Sequence, residues 1–114
     1  MDIQVTDHTS SPWLPHRGYE GVFARVVLGG QTGTDLEIMA IRIVPGAQVP
    51  PHQHERSAET FYVLAGEGAF HIQGRWVPCH VGSCAHAKAG TVPGAKNTGG
   101  EDLCVLAIFA PPLS

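Results

Sequence analysis

Residues 46–66 read GAQVPPHQHERSAETFYVLAG, and this stretch decides both the fold and the chemistry of the chain. A single residue separates His52 from His54, and Glu59 follows a short polar segment, residues 55–58, that is suited to a turn. In an extended strand, side chains at i and i+2 share a face, with Cα atoms roughly 7 Å apart. Two imidazoles and a returning carboxylate form a ligand set for Fe, Mn, Ni, Co or Zn. The pattern therefore predicts one divalent transition metal held by His52, His54 and Glu59.

Glycines bracket this stretch, with Gly46 at its start and Gly66 at its end. The full spacing is G-x5-H-x-H-x4-E-x6-G, and at every fixed position it resembles the first motif of the cupins. The resemblance extends over roughly residues 36–110. It implies an all-β fold, the cupin double-stranded β-helix or jelly-roll barrel, with the metal site inside the barrel.

The second cupin motif, G-x5-P-x-G-x2-H-x3-N, is present but altered. Three of its fixed positions are matched, by Gly82, Gly90 and Asn97. Lys88 stands in the place of the proline, and Pro93 stands in the place of the histidine that is the usual fourth ligand. Proline offers no ligand atom and no N–H group.

Three consequences of Pro93 remain open at this point. The site has three protein ligands and an open position for water or substrate, which is what a catalytic metal needs. Alternatively, His86 or His71 acts as a substitute ligand, since either could point inward. In the third case metal affinity is lost, and the pocket binds only an organic ligand.

Composition and patterning support a β-rich single domain. The 114 residues include 14 Gly and 9 Pro with only 15% charged residues, which indicates short strands and tight turns. No stretch shows a 3.6-residue period, so we expect eight to ten strands and no helical segment. Strands are predicted at residues 20–28, 36–44, 60–65, 69–73, 75–77, 82–87 and 103–109. Turns are predicted at residues 29–33, at residues 66–68 as a hairpin, and at Gly74.

The domain prediction is one barrel, residues 19–114, preceded by an extended arm, residues 1–18. Trp13 and Leu14 are the expected anchors of the arm against the barrel or a partner subunit. Strands 36–44 and 103–109 are apolar on both faces, more than one small barrel can bury. We therefore expect a homodimer.

The charge balance and the cysteines bound the function class. A net charge of −3 gives no footprint for nucleic acid or an anionic membrane. The first residues lack the basic start and apolar core of a signal peptide, and the longest apolar run is too short to cross a bilayer. Three cysteines without a C-x-x-C pair fit a reducing compartment. The expectation is a soluble, cytoplasmic protein.

Three further residues are candidates for catalysis or substrate contact. Lys88 is expected near the rim, where its ammonium group could meet a metal-bound anion or act in acid–base chemistry. Phe61 shares the strand parity of Glu59 and is expected to line the pocket wall. Gln48 is expected near the pocket mouth.

The functional expectation is an enzyme that uses the metal on a small oxygen-rich substrate. The metal would serve as a Lewis acid or as an O2 centre. The cupin resemblance implies isomerases, lyases, cyclases and dioxygenases as the available reactions, and the missing fourth histidine weakens the dioxygenase branch. The alternative is a non-catalytic cupin module that binds a small molecule or a metal.

Overall fold

The computed structural model describes residues 3–29 and 33–113. The predicted turn at residues 29–33 lies largely outside these ranges. Within them the chain forms one 3₁₀ turn, His8–Ser10, and ten strands. The strands are β1 (Leu14–Pro15), β2 (Val22–Leu28), β3 (Glu37–Ile43), β4 (Gln48–Val49), β5 (Ala58–Ala65), β6 (Glu67–Ile72), β7 (Arg75–His80), β8 (Cys84–Ala87), β9 (Gly94–Asn97) and β10 (Leu103–Ala110).

The strands form two antiparallel sheets that face each other. One sheet has six strands in the order β1-β2-β3-β10-β5-β8, and the other has four in the order β4-β9-β6-β7. Strands that are distant in sequence are neighbours in space; β10, for example, lies between β3 and β5. This is the expected all-β jelly roll, the double-stranded β-helix, and the prediction of fold class is confirmed.

Alternating side chains of the central strands form the core. Leu103, Val105 and Ala107 of β10 point inward and are buried, as is Val63 of β5. This two-residue period is what a pleated strand with one face on the core requires. Each fully buried Val, Leu or Phe stabilises the fold by about 1.5–3 kcal/mol. The long strands predicted from the sequence therefore supply the buried faces of the core.

The segment around Gly66 corrects one prediction. The expected hairpin at residues 66–68 does not form, because β5 and β6 belong to different sheets. Gly66, with φ +87°, is instead the corner at which the chain changes sheet. A Cβ atom there would lie 2.5 Å from the carbonyl oxygen of Asp102, so only glycine fits. In contrast, the turn at Gly74 is confirmed: Gln73 and Gly74 join β6 to β7 with φ values of 49° and 83°.

The N-terminal segment packs along the edge of the six-stranded sheet. Leu14–Pro15 pairs with β2, and the guanidinium of Arg25 lies 4.2 Å from the centre of the Trp13 ring. Trp13 is thus an anchor of this segment, whereas the Leu14 side chain is 61% exposed. Among the described residues, no helix is both long and apolar enough to cross a membrane.

Candidate metal centre

The two histidines of the first motif lie between β4 and β5 in an extended segment outside the regular strands. Backbone hydrogen bonds hold this segment against the loop of residues 90–93. The N–H of His52 donates to the carbonyl of Pro93 at 3.0 Å, and the N–H of Gly90 donates to the carbonyl of His54 at 2.9 Å. The segment is therefore fixed like a short strand, which places both imidazoles on the same side.

Glu59 projects from β5 toward both imidazoles. Its side chain is only 3% exposed, and its Oε1 lies 3.3 Å from His52 Nε2 and 3.5 Å from His54 Nε2. The ligand atoms of the three residues all lie within 4.8 Å of one another. The structure thus brings together the three residues selected by the spacing, in a group that could hold a metal ion. That they bind one stays a prediction.

The protein fixes the orientation of each imidazole. The Nδ1 of His52 donates to the carbonyl of Pro50 at 3.0 Å, which leaves the Nε2 lone pair of the neutral ring directed at the group. The ring of His54 meets the ring of Phe109 edge-on, with centroids 5.4 Å apart. The hydrogen bond from His52 to a backbone carbonyl is typical of histidines that ligate a metal.

Two polar atoms of this group have no hydrogen-bond partner among the described residues. They are His54 Nε2 and Glu59 Oε1, both buried. The contact of Glu59 Oε1 with His52 is close, but its alignment does not make a hydrogen bond. Burying a carboxylate and a nitrogen lone pair side by side is unfavourable unless a charge offsets it. A divalent cation bound by both atoms would remove this penalty, so the residues fit a metal ion.

The pKa values of the two histidines shift in opposite directions, although Glu59 raises both. The short contact with Glu59 raises the pKa of His52 above its ordinary value, and the Pro50 carbonyl acts in the same direction against burial. Burial lowers the pKa of His54, and the charge of Glu59 only partly offsets it. His54 therefore favours the neutral form, the form that binds metals.

A cavity of about 160 Å³ opens beside the group. Its walls are mostly apolar and include Met39, Ile41 and Phe109. His16 and Tyr19 also line it, with their rings stacked 4.2 Å apart. The Nδ1 of His16 accepts the N–H of Gly18 at 3.0 Å, so the proton of the neutral ring is on Nε2.

Sequence reasoning missed His16 and Tyr19. They lie in an aperiodic segment before β2, and the sequence carried no signal that this segment reaches the metal group. Phe109, which is buried at 4% exposure, also forms part of this cavity.

Pro93 and Asn97 of the second motif have structural contacts. Pro93 is buried, and its carbonyl accepts the His52 N–H, so the residue in the place of the fourth ligand lies beside the group without contributing a ligand atom. The side-chain amide of Asn97 donates to the carbonyls of Ile43 and Glu101 at 2.8 and 2.7 Å. Asn97 therefore holds β9, the end of β3 and the following turn together.

The two expected substitute ligands lie elsewhere. His86 pairs with Thr60 across β8 and β5, and its Nδ1 is 2.8 Å from the Thr60 hydroxyl. The Nδ1 of His71 donates to the carbonyl of Val92 at 2.8 Å. Neither joins the group of three ligand atoms. The expectation that one of them replaces the fourth ligand finds no support, because the pleat of their strands directs them away.

The three expected substrate contacts are also displaced from the group. Gln48 is exposed, because the alternation of β4 turns the neighbouring Val49 inward instead. Lys88 and Phe61 line a second cavity, together with His71 and His86, and neither borders the cavity beside the metal group. Phe61 is buried on the same face of β5 as Glu59, but it borders a different cavity.

The sequence is similar to those of two characterised proteins. An oxalate-binding protein from Thermotoga maritima is 38% identical over 69 residues, 60% of this chain and 57% of that protein. Auxin-binding protein 1 from Arabidopsis thaliana is 31% identical over 93% of this chain and 54% of that protein. The chain therefore spans about half the length of these curated relatives.

Solved structures show the same fold over nearly the whole chain. A predicted oxalate decarboxylase from Thermotoga maritima is 28% identical, with a TM-score of 0.82 over 95% of this chain and 99% of that chain. KdgF from Halomonas sp. is 25% identical, with a TM-score of 0.83 over 95% of this chain and 93% of that chain. The family model of the cupin domain, Cupin_2, matches residues 39–109. The chain belongs to the cupin domain family.

Proposed function

We propose that the protein is a metal-dependent enzyme that acts on a small oxygen-rich anion. The observation that carries the proposal is the pair of buried, unpartnered atoms, His54 Nε2 and Glu59 Oε1, which face each other at 3.5 Å beside a cavity. His52 completes the ligand set. A bound divalent ion would polarise a carboxylate or carbonyl oxygen of the substrate as a Lewis acid.

The cavity limits the size of the substrate. Its volume, about 160 Å³, is below the range of roughly 300–1,000 Å³ that is usual for sites of drug-sized ligands. A compound of a few carbon atoms with two adjacent oxygens suits this space. The relative from Thermotoga maritima is named an oxalate-binding protein, and oxalate is a ligand of this kind. We take small dicarboxylates as the first substrate class to test.

The chain supplies water exclusion and a proton beside the ligand group. The apolar walls formed by Met39, Ile41 and Phe109 exclude bulk water from the substrate. His16 carries a proton on Nε2 in its neutral form and is held flat against Tyr19. Its imidazole is suited to giving a proton to the substrate or taking one from it.

This arrangement favours proton-transfer chemistry over oxygenation. Isomerisation, elimination and cyclisation need a polarised oxygen and a nearby acid or base, and the site offers both. The dioxygenase reading depends on the full cupin ligand set, of which Pro93 removes one member. O2 uptake by the Fe(II)-loaded protein in the presence of a bound dicarboxylate would overturn this preference.

The test of the proposed function combines binding with turnover. The protein loaded separately with Mn, Fe, Co, Ni or Zn is titrated with oxalate and slightly larger keto and hydroxy acids, and products are followed by NMR. We expect metal-dependent binding that is lost in Glu59→Gln, and turnover that falls at least about tenfold in His16→Gln while binding persists. Absence of any metal-dependent binding would contradict the proposal.

A second candidate function is non-catalytic binding of the same ligands. It is favoured by Pro93, which supplies no ligand atom at the position of the fourth ligand, and by relatives named as binding proteins. Saturable binding of a dicarboxylate without product formation under any metal would select this candidate. In that case His16→Gln would affect affinity alone.

We also infer that two copies of the chain pack through the outer face of the six-stranded sheet. On this face Ile108 pairs with Ile38, and Leu106 lies between Ala40 and Tyr62. Tyr62 is 42% exposed, and the central side chains are apolar. Leu106→Glu should convert the dimer to a monomer in sedimentation experiments; a monomeric wild-type protein at micromolar concentration would refute the inference.

The compartment remains a prediction. All three cysteines, Cys79, Cys84 and Cys104, are free thiols. We propose the cytoplasm, where thiols stay reduced.

A further inference from the structure

A second cavity, of about 290 Å³, lies between β8 of one sheet and β6 of the other, below the loop of residues 88–93. None of the residues that line it borders the cavity of the metal group. It is nearly twice as large as that cavity and reaches the lower end of the size range of ligand sites, roughly 300 Å³. Its volume suits a molecule of one or two rings.

The floor of the second cavity is aromatic. Phe61 and Phe70 are buried, and their rings stack with centroids 5.5 Å apart and an interplanar angle of 15°. The two residues of β8 that face this floor, Ala85 and Ala87, have the smallest side chains that a strand can place there. The space above the phenyl rings therefore remains open, and its surface is apolar. A flat ring can pack on it.

The rim of the cavity carries positive charge. Lys88 lines it, together with His71, His86, Gln73 and Thr91, and none of the described carboxylates does. Within residues 3–29 and 33–113, Lys88 takes part in no ion pair. Lysine is charged across the physiological pH range. In a chain with a net charge of −3, this is a local site for an anion above an apolar floor.

We propose that the second cavity binds a small aromatic or alicyclic carboxylate. The ring lies on the Phe61–Phe70 floor, and the carboxylate pairs with the ammonium group of Lys88 at the rim. This site needs no metal, and it is independent of the function proposed for the metal group.

The test uses the metal-free full-length protein, prepared with a chelator, so that a carboxylate cannot be bound by a metal. Benzoate and 1-naphthoate are the probes, benzyl alcohol is the uncharged control, and binding is measured by calorimetry and by NMR shift perturbation. We expect saturable binding of the acids with one site per chain, weaker binding of the alcohol, and unchanged binding in Glu59→Gln.

A pair of lysine variants tests whether the charge of Lys88 contributes to benzoate binding. The described chain offers Lys96 as a control, since its ammonium lies over the Trp76 ring at 4.4 Å rather than in the cavity. Lys88→Met should weaken benzoate binding about fivefold, and Lys96→Met should leave it unchanged. Ala87→Leu should abolish binding by filling the space. Lys88 is exposed, so its variant keeps the test valid even if Ala87→Leu does not fold.

Three results would overturn the proposal. The first is the absence of saturable binding of either acid to the metal-free wild-type protein. The second is equal weakening by Lys88→Met and Lys96→Met, which would indicate a nonspecific charge effect. The third is a clear change of benzoate affinity in Glu59→Gln, in either direction, which would place the carboxylate beside the metal group.

Discussion

The barrel interior holds two cavities that differ in almost every physical property. One is small and carries buried titratable groups, with the unpartnered atoms of His54 and Glu59 at its edge. The other is larger, has an aromatic floor of Phe61 and Phe70, and places its charge at an exposed lysine. A bound cation would stabilise the first, because burial makes its polar atoms unfavourable when unpaired. The second is proposed to bind an organic anion instead.

Pro93 marks the boundary between these two spaces. It lines the second cavity, while its carbonyl accepts the N–H of His52, a residue of the metal group. Pro93 therefore contacts both regions and offers no ligand atom to the metal group.

The largest expected effect tests whether the cavities are independent. Phe61→Ala removes a buried ring from the floor of the second cavity and should lower the free energy of unfolding by about 3–5 kcal/mol. Chemical denaturation measures this loss. Metal binding by the folded fraction should persist, since Phe61 does not border the metal group. Loss of metal binding in folded Phe61→Ala protein would show that the two spaces act as one.

Metal addition should stabilise the protein through the first cavity alone. At a free metal concentration about 100 times Kd, the free energy of unfolding should rise by about 2.7 kcal/mol. Thermal unfolding with and without the metal checks this. The same increase is expected in Lys88→Met, and none in His54→Ala. An equal increase in His54→Ala would mean that the ion binds elsewhere.

The two cavities should also respond differently to pH. A metal ion can bind His52 only after that residue has lost its proton, and the contact with Glu59 raises the pKa of His52. As the pH is lowered, metal affinity should therefore begin to fall at a pH above the ordinary pKa of an imidazole. For one displaced proton the fall approaches about tenfold per pH unit. Benzoate binding in the second cavity should not weaken over the same range, since no carboxylate among the described residues lines that cavity. Titrations between pH 8 and 6 compare the two sites.

The smallest expected effect concerns Gln48, which faces solvent outside both cavities. Gln48→Ala should change the free energy of unfolding by less than about 0.5 kcal/mol and leave metal and benzoate affinities unchanged. A clear loss of either affinity would show that β4 presents the other face to the interior.

The long strands β3 and β10 were predictable because each contains a mostly apolar run with the length of a strand. In Leu103–Ala110 the inward residues are buried, and the outward ones are more exposed although they are apolar too. The strands that were missed, β1, β4 and β9, have only two to four residues. Such short segments carry no readable period and are set by their neighbours. Likewise, two glycines around Glu67 suggested a hairpin, but the partner of each strand is chosen by tertiary packing.

The metal group was predictable because its three residues are close in sequence. His52 and His54 share a face by spacing alone, and the turn before Glu59 returns it to them. Residues that reach the site from elsewhere, such as His16 and Phe109, depend on long-range topology. His71 and His86 lie outside the metal group because of strand parity. A shift of one residue decides whether a side chain faces the interior or the exterior, and the sequence did not fix that register.

The most direct test of the account is the metal content of the purified protein after incubation with a mixture of divalent transition ions and removal of the excess. Mass spectrometry of the elements should find about one ion per wild-type chain and per Lys88→Met chain, as one group of three ligands predicts. Glu59→Gln should retain almost none, with affinity reduced by more than about 100-fold. Equal metal content in the wild-type and Glu59→Gln proteins would contradict the central claim.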